Sequence, residues 1–190
     1  MNAKRILLCV LILCLCSLSA FAQVYSPGEH TFQFIVPDSW NIDSSSFADE
    51  YEGINPANDS LLLGVFTSEY SYMELCVAGY QDMVGHMDYW LLDEDKLYEE
   101  IEYWMQVFLL YGAECESIFI CYIPYTDEIS IPFVVYQLRD DNGFSYYYGN
   151  TIADGWEICV YCCDGNGRND LSSDNLNDLY TMLGGFMPLP

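Results

Sequence analysis

Basic residues are almost missing from this chain. Past residue 22 only Lys96, Arg139 and Arg168 stand against 29 Asp and Glu, a formal charge of −26 over that stretch. Such a field repels nucleic acid and anionic lipid surfaces, so neither is an expected partner; it attracts cations and basic polypeptides. Histidine is equally scarce. His30 and His86 have no second ligand type at metal-binding spacing. With no Gly-x-Ser-x-Gly stretch, a nucleophilic triad has little material. No cofactor motif is present, and none is expected to be bound. Paired carboxylates of the glycosidase kind need only geometry, so a carboxylate-based hydrolase stays as an alternative. No apolar run of membrane-spanning length follows Leu18. Repeats, low-complexity tracts and linkers are absent as well.

What is present begins with a targeting signature. Lys4 and Arg5 precede an apolar run from Ile6 to Leu18, and Ala20-Phe21-Ala22 follows as a small-x-small cleavage pattern. This is the grammar of a secretory signal peptide over residues 1–22, with cutting after Ala22. Cys9, Cys14 and Cys16 follow no Leu-Ala-Gly lipobox, which argues against a lipid anchor. The remaining 168 residues, 23–190, are expected to form one domain outside the cytoplasm, free of the membrane.

Most of that domain reads as strand. His30 to Val36 alternates, with Phe32, Phe34 and Val36 on one face; Pro37 ends it and Trp40 follows in a turn. Residues 44–60 read as loop, with a short strand near Phe47–Tyr51. Leu61 to Thr67 is an apolar strand expected to pair with the first. Tyr72 to Ala78 is ambiguous between strand and helix, and is read as strand. A C-terminal meander then takes Ile118–Ile123, Ile129–Arg139, Phe144–Ala153 and Trp156–Cys163 as four antiparallel strands in sequence order. Asn142-Gly143 predicts a two-residue type I′ turn, and Asp154-Gly155 repeats that chemistry. In the last strand Ile158, Val160 and Cys162 share one face, and Glu157, Cys159 and Tyr161 the other.

Two amphipathic helices complete the pattern. Asp93–Tyr111 repeats Leu97, Ile101, Trp104, Met105, Phe108 and Tyr111 at three- and four-residue steps. Asp93 is its N-cap and Gly112 its C-terminal stop. The second starts near Ser172 or Ser173 and carries Leu176, Leu179, Tyr180 and Leu183. It stops at Gly184-Gly185, and Phe186 folds back. The fold class is therefore α+β: an antiparallel sheet packed by a long central helix and a C-terminal helix.

This order of elements resembles the PsbP-like α/β families, which include many small exported bacterial proteins. The features that carry the likeness are the Pro-x-x-Trp opening (Pro37–Trp40), the long acidic-start helix and the Gly112-Ala113 turn. The tyrosine-rich meander, the Asp164-Gly165 turn and the closing Gly-Gly-Phe (Gly184–Phe186) complete it. The resemblance implies helices packed on the faces of an antiparallel sheet, and a role in binding or assisting other proteins rather than catalysis.

Three residue sets carry the remaining chemistry. Six cysteines follow the signal: Cys76, Cys115, Cys121, Cys159, Cys162 and Cys163. An even count in an exported chain points to a disulfide joining different elements, among 15 conceivable pairings. Cys115 and Cys121 share parity on one regular strand, about 20 Å apart, too far to bond. Cys159-x-x-Cys162 lies on a strand, so its thiols face opposite ways and do not form a metal knuckle. Asp164, Asn166, Asp170 and Asp174 suggest a weak calcium site, but Arg168, Asn169 and Asn175 break the EF-hand pattern. The third set is aromatic. Tyr136, Tyr146, Tyr147, Tyr148, Trp156 and Tyr161 crowd the meander, and tyrosine pairs apolar area with a hydrogen-bonding tip. The expected function is a secreted binding or accessory protein that meets a protein, peptide or glycan through such a patch, the alternative being a structural or accessory protein without a small ligand.

Overall fold

The structure is a computed structural model and describes residues 22–25, 32–43, 60–79, 88–124, 129–153 and 156–188. Residues 1–21 of the expected signal segment 1–22, the strand expected near Phe47–Tyr51 and the Asp154-Gly155 turn fall outside these residues, while Ala22, the last residue of that segment, opens a strand opposite Pro37.

Ten strands and two helices make up the described chain. In order they are β1 (Ala22–Tyr25), β2 (Phe32–Pro37), β3 (Asn41–Asp43), β4 (Ser60–Thr67) and β5 (Ser71–Gly79). A 3-10 turn at Tyr89–Leu91 leads into α1 (Glu94–Leu110). Then come β6 (Ala113–Pro124), β7 (Ser130–Asp140), β8 (Ser145–Ala153), β9 (Trp156–Asp164), α2 (Ser173–Gly184) and β10 (Phe186–Pro188). The main sheet has seven strands in the order β3-β4-β5-β9-β8-β7-β6. Its β6–β9 half is the meander that the turn chemistry predicts, and every pairing is antiparallel.

The first strand corrects an expectation. β2 does not pair with β4. It sits between β1 and β10 in a separate three-stranded sheet. Pro37 has no N–H to continue a ladder, and the chain turns through Asp38–Trp40, where Trp40 N–H bonds the Pro37 carbonyl at 3.0 Å. It re-enters as β3, which pairs with β4 instead. The return of β10 to β2 depends on Gly185. A Cβ there would lie 2.1 Å from the Ile35 carbonyl oxygen, and the Gly185 carbonyl accepts from Ile35 N–H at 2.8 Å. Only glycine permits that approach.

The hairpin at residues 140–145 is also one residue longer than predicted. Gly143 N–H bonds the Asp140 carbonyl at 2.9 Å, and Asp140 N–H bonds the Phe144 carbonyl at 3.0 Å. Gly143 carries the positive φ, 82°. This is a three-residue loop ending in a left-handed glycine. Asp140 sets it, because its carboxylate takes the N–H groups of Asn142 and Phe144 at 2.9 and 2.8 Å.

Each helix covers one face of the main sheet. α2 and the small sheet close one face, with Phe34, Val36, Leu179, Met182, Leu183 and Phe186 packed on Phe66, Met73, Leu75, Phe133, Val135, Ile158 and Val160. α1 covers part of the other, placing Leu97, Ile101 and Phe108 on Val134, Tyr136, Leu138 and Ile152. Burying each such side chain contributes about 1.5–3 kcal/mol. The caps match the sequence. Asp93 accepts Lys96 N–H at 2.9 Å, and Gly112 follows α1 at φ 78°. Ser172 and Asn175 form a capping box, and the buried Asn175 amide reaches on to the Tyr70 carbonyl and Ser71 hydroxyl at 2.9 and 3.0 Å. One capping residue thus also pins α2 to the β4–β5 hairpin.

Two sequence-level parities fail. The apolar stripe of α1 is narrower than expected: Met105 and Tyr111 point outward, Tyr111 being 86% exposed. In β6 the register shifts between Cys115 and Ser117. This bulge reverses the alternation, so Cys115 packs toward α1 and Cys121 toward the opposite core.

Candidate functional site

The meander tyrosines do not form one platform. Tyr136 is fully buried under α1, its ring 5.0 Å from that of Phe108. Its hydroxyl has no hydrogen-bond partner among the described residues, and burial pushes its pKa well up. Tyr148 stacks edge-on against Phe108 at 5.3 Å and lies 6.3 Å from Trp104. Tyr147 points to the opposite face, buried against Phe119 at 6.1 Å. Tyr146 and Tyr161, 5.1 Å apart, remain half-buried as a pair on the α1 face, beyond the helix. Trp156 begins β9 opposite Ala153. The candidates therefore divide between two cores and one partly open strip.

Next to that strip is a polar cluster that the sequence does not announce. Glu157 is only 5% exposed. Its Oε1 accepts from the Asn150 amide at 3.0 Å and lies 3.2 Å from the Tyr148 hydroxyl, which is also 2.9 Å from Cys159 Sγ. Across β9, Cys76 sits opposite Cys159, and Glu74, opposite Tyr161, accepts from Tyr72 at 2.6 Å. Burial, together with Glu74 and Glu157, pushes the Cys76 thiol up to about 12. The Cys159 thiol is raised by its own burial and by Glu157. Burial and the neighbouring carboxylates both disfavour the thiolate forms of this pair. The bond from the Asn150 amide to Glu157 links β8 to β9 inside the sheet.

The calcium candidates are otherwise employed. Asp164 accepts Asn166 N–H at 2.9 Å and Arg168 N–H at 3.2 Å, and holds the Arg168 guanidinium at 2.7 and 3.0 Å. That pairing holds its carboxyl below the usual aspartate range. Asp170 pairs with Arg139 at 3.2 Å. Asp174 lies in the first turn of α2, where the helix dipole favours it. Among the described residues no three His, Cys, Asp or Glu side chains are grouped to hold a metal.

The uncovered apolar surface lies elsewhere, along α1 and the edge strand β6. Tyr98, Met105 and Leu109 follow one another down the outer side of the helix, all exposed. Between that side and β6 runs a trough. Its larger part, about 460 Å³, is lined by Tyr98, Ile101, Glu102, Met105, Ile118 and Ile120. A second part of about 300 Å³ continues past Leu97 and Tyr122 to Asp93 and Glu94. β6 is the last strand of the sheet, so among the described residues its outer edge has no strand partner. Glu94 and Glu102 line the trough, and the exposed Glu114 and Glu116 stand nearer the start of β6, Glu116 being held by Arg139 and Gln137 at 2.6 and 2.8 Å. Sequence reading missed this surface because Met105 and Tyr98 sit at spacings that also suit a core stripe. The clue was Tyr98-x₃-Glu102, an apolar residue inside an acidic face.

No family model matches the sequence, and no curated protein matches it. Among solved structures, the chain is similar to that of cyanobacterial PsbP (CyanoP) from Synechocystis sp. PCC 6803. The TM-score is 0.51 at 14% identity, over 89% of this chain and 93% of that one. At that identity the likeness is one of architecture, and the fold is PsbP-like: helices packed on antiparallel sheet.

Proposed function

We propose that this chain is an exported, non-catalytic binding or accessory protein, and that it takes an extended, basic segment of a partner polypeptide along the trough between α1 and β6. The observation that carries this reading is the edge of β6, which has no strand partner among the described residues, running beside the exposed Tyr98, Met105 and Leu109 of α1. An unpaired edge offers a row of N–H and C=O groups that a second chain can extend as a further strand. The trough would accept every other side chain of that segment, since strand side chains alternate. The acidic rim and the −26 charge select lysine and arginine for the intervening positions. A second copy of this chain would bring like charge to the same edge and is disfavoured on that ground. The PsbP-like fold is compatible with an accessory role.

The test uses a short peptide alternating valine with lysine, titrated by calorimetry, beside a valine–glutamate peptide of equal length. The lysine peptide is expected to bind, more weakly as salt rises. Tyr98→Glu and Met105→Glu, both at exposed positions, should each abolish binding while leaving the fold intact. Equal binding of both peptides, or undiminished binding by both variants, would rule the reading out.

A further inference from the structure

The pairing of β5 with β9 singles out one cysteine couple. Cys76 and Cys159 are directly opposed in the antiparallel register; their neighbours Leu75, Val77, Ile158 and Val160 face the α2 core, so alternation turns both cysteines to the other face, where Cys159 meets Tyr148. Opposed residues in such a pair have Cα atoms about 4.5–5.5 Å apart, within the roughly 4.4–6.8 Å that a disulfide spans. Both are free thiols in this structure. The other pairings fail on placement. Cys162 faces the opposite core. Cys163 is four residues further along the strand, about 13 Å away. Cys115 and Cys121 lie on β6, three strands from β9 and about 14 Å off. They also face opposite ways from each other.

We propose that Cys76 and Cys159 are a disulfide-forming pair, closed when the folding chain meets a disulfide donor, and that the bond ties the β3–β4–β5 hairpin side of the sheet to the meander. Cys76, the half-buried partner, attacks one sulfur of the donor disulfide and releases one donor thiol. The Cys159 sulfur then gives its proton to solvent and displaces the second donor thiol from Cys76. Two cysteine thiols are oxidised and one donor disulfide is reduced to two thiols. The raised thiol pKa values make exchange slow once the sheet is complete. The bridge therefore forms as β5 docks on β9 and then persists.

The experiment refolds the protein in a glutathione redox buffer, blocks remaining thiols in denaturant and maps the peptides without reduction. A linked peptide pair containing Cys76 and Cys159, about 2 Da lighter than its reduced parts, is expected. The oxidised protein should melt about 5–10 °C above the reduced one, because the bond closes a long loop. Cys76→Ala with Cys159→Ala should remove that shift, and Cys115→Ala with Cys121→Ala should keep it. The inference is overturned if both thiols are recovered fully alkylated from wild-type protein refolded this way, or if Cys76 is found joined to another cysteine. The wild-type peptide map decides the matter even where a variant does not fold.

Discussion

The two faces of the seven-stranded sheet are built differently. The face under α2 and the small sheet is closed: Phe34, Leu179, Met182 and Phe186 are sealed against it, with the Asn175–Ser71 hydrogen bond buried beside them. The face under α1 is covered by one helix that leaves Tyr98, Met105 and Leu109 exposed among acidic residues. It keeps buried polar groups such as Glu157 and Asn150, and it opens into a trough at β6. A closed apolar face supplies most of the stability. An exposed hydrophobic border on a half-covered face is the kind of surface that marks interaction sites in proteins generally. The contrast teaches that in this chain the closed stabilising layer and the layer proposed to bind are opposite sides of one sheet.

The comparison can be broken from the closed side first. Phe186→Ala removes a fully buried ring packed 5.1 Å from Phe34 and 5.2 Å from Phe133. It should cost about 3–5 kcal/mol in denaturant unfolding and lower the whole transition. On the α1 face, Ile101→Ala should cost less, about 2–3 kcal/mol. Hydrogen exchange should then show α1 loosening ahead of the sheet. A loss at Ile101 equal to that at Phe186, with no local opening, would contradict the division.

A third prediction concerns pH. The folded pKa of Asp164 is depressed, chiefly by its hydrogen bond from Arg168. Its contribution is therefore present above the unfolded aspartate value of about 3.9 and fades as pH falls through the lower folded value. Asp164→Asn should destabilise the protein at neutral pH and lessen its acid sensitivity below about pH 4. Acid unfolding curves of the two proteins check this, and identical curves would count against it. Last in size, Leu109→Glu on the outer side of α1 should change stability by no more than about 0.5 kcal/mol.

Much of the fold could be read from local chemistry. Asp93, Ser172 and Gly112 mark helix ends because capping is a matter of a few neighbouring residues. The alternation in β9 correctly separates Ile158, Val160 and Cys162 from Glu157, Cys159 and Tyr161. What could not be read is long-range. Nothing in Phe32–Val36 says that it prefers Ala22–Tyr25 and Phe186–Pro188 to Leu61–Thr67; the close approach at Gly185 decides that. A single extra residue at the β6 bulge reverses the facing of Cys115 relative to Cys121. The tyrosines were visible as interface material, but burial of Tyr136 and Tyr147 depends on which helix and which edge residue land on them. The α1–β6 surface was hidden because periodicity places Met105 beside the stripe without saying how wide an arc the sheet covers.

The most direct measurement is amide hydrogen exchange of β6, residues 113–124, with and without the valine–lysine peptide. If one face builds and the other binds, the peptide should slow exchange in β6 and along α1 and leave β2 and α2 unchanged. Protection confined to the α2 face, or none in β6 at saturating peptide, would contradict the account.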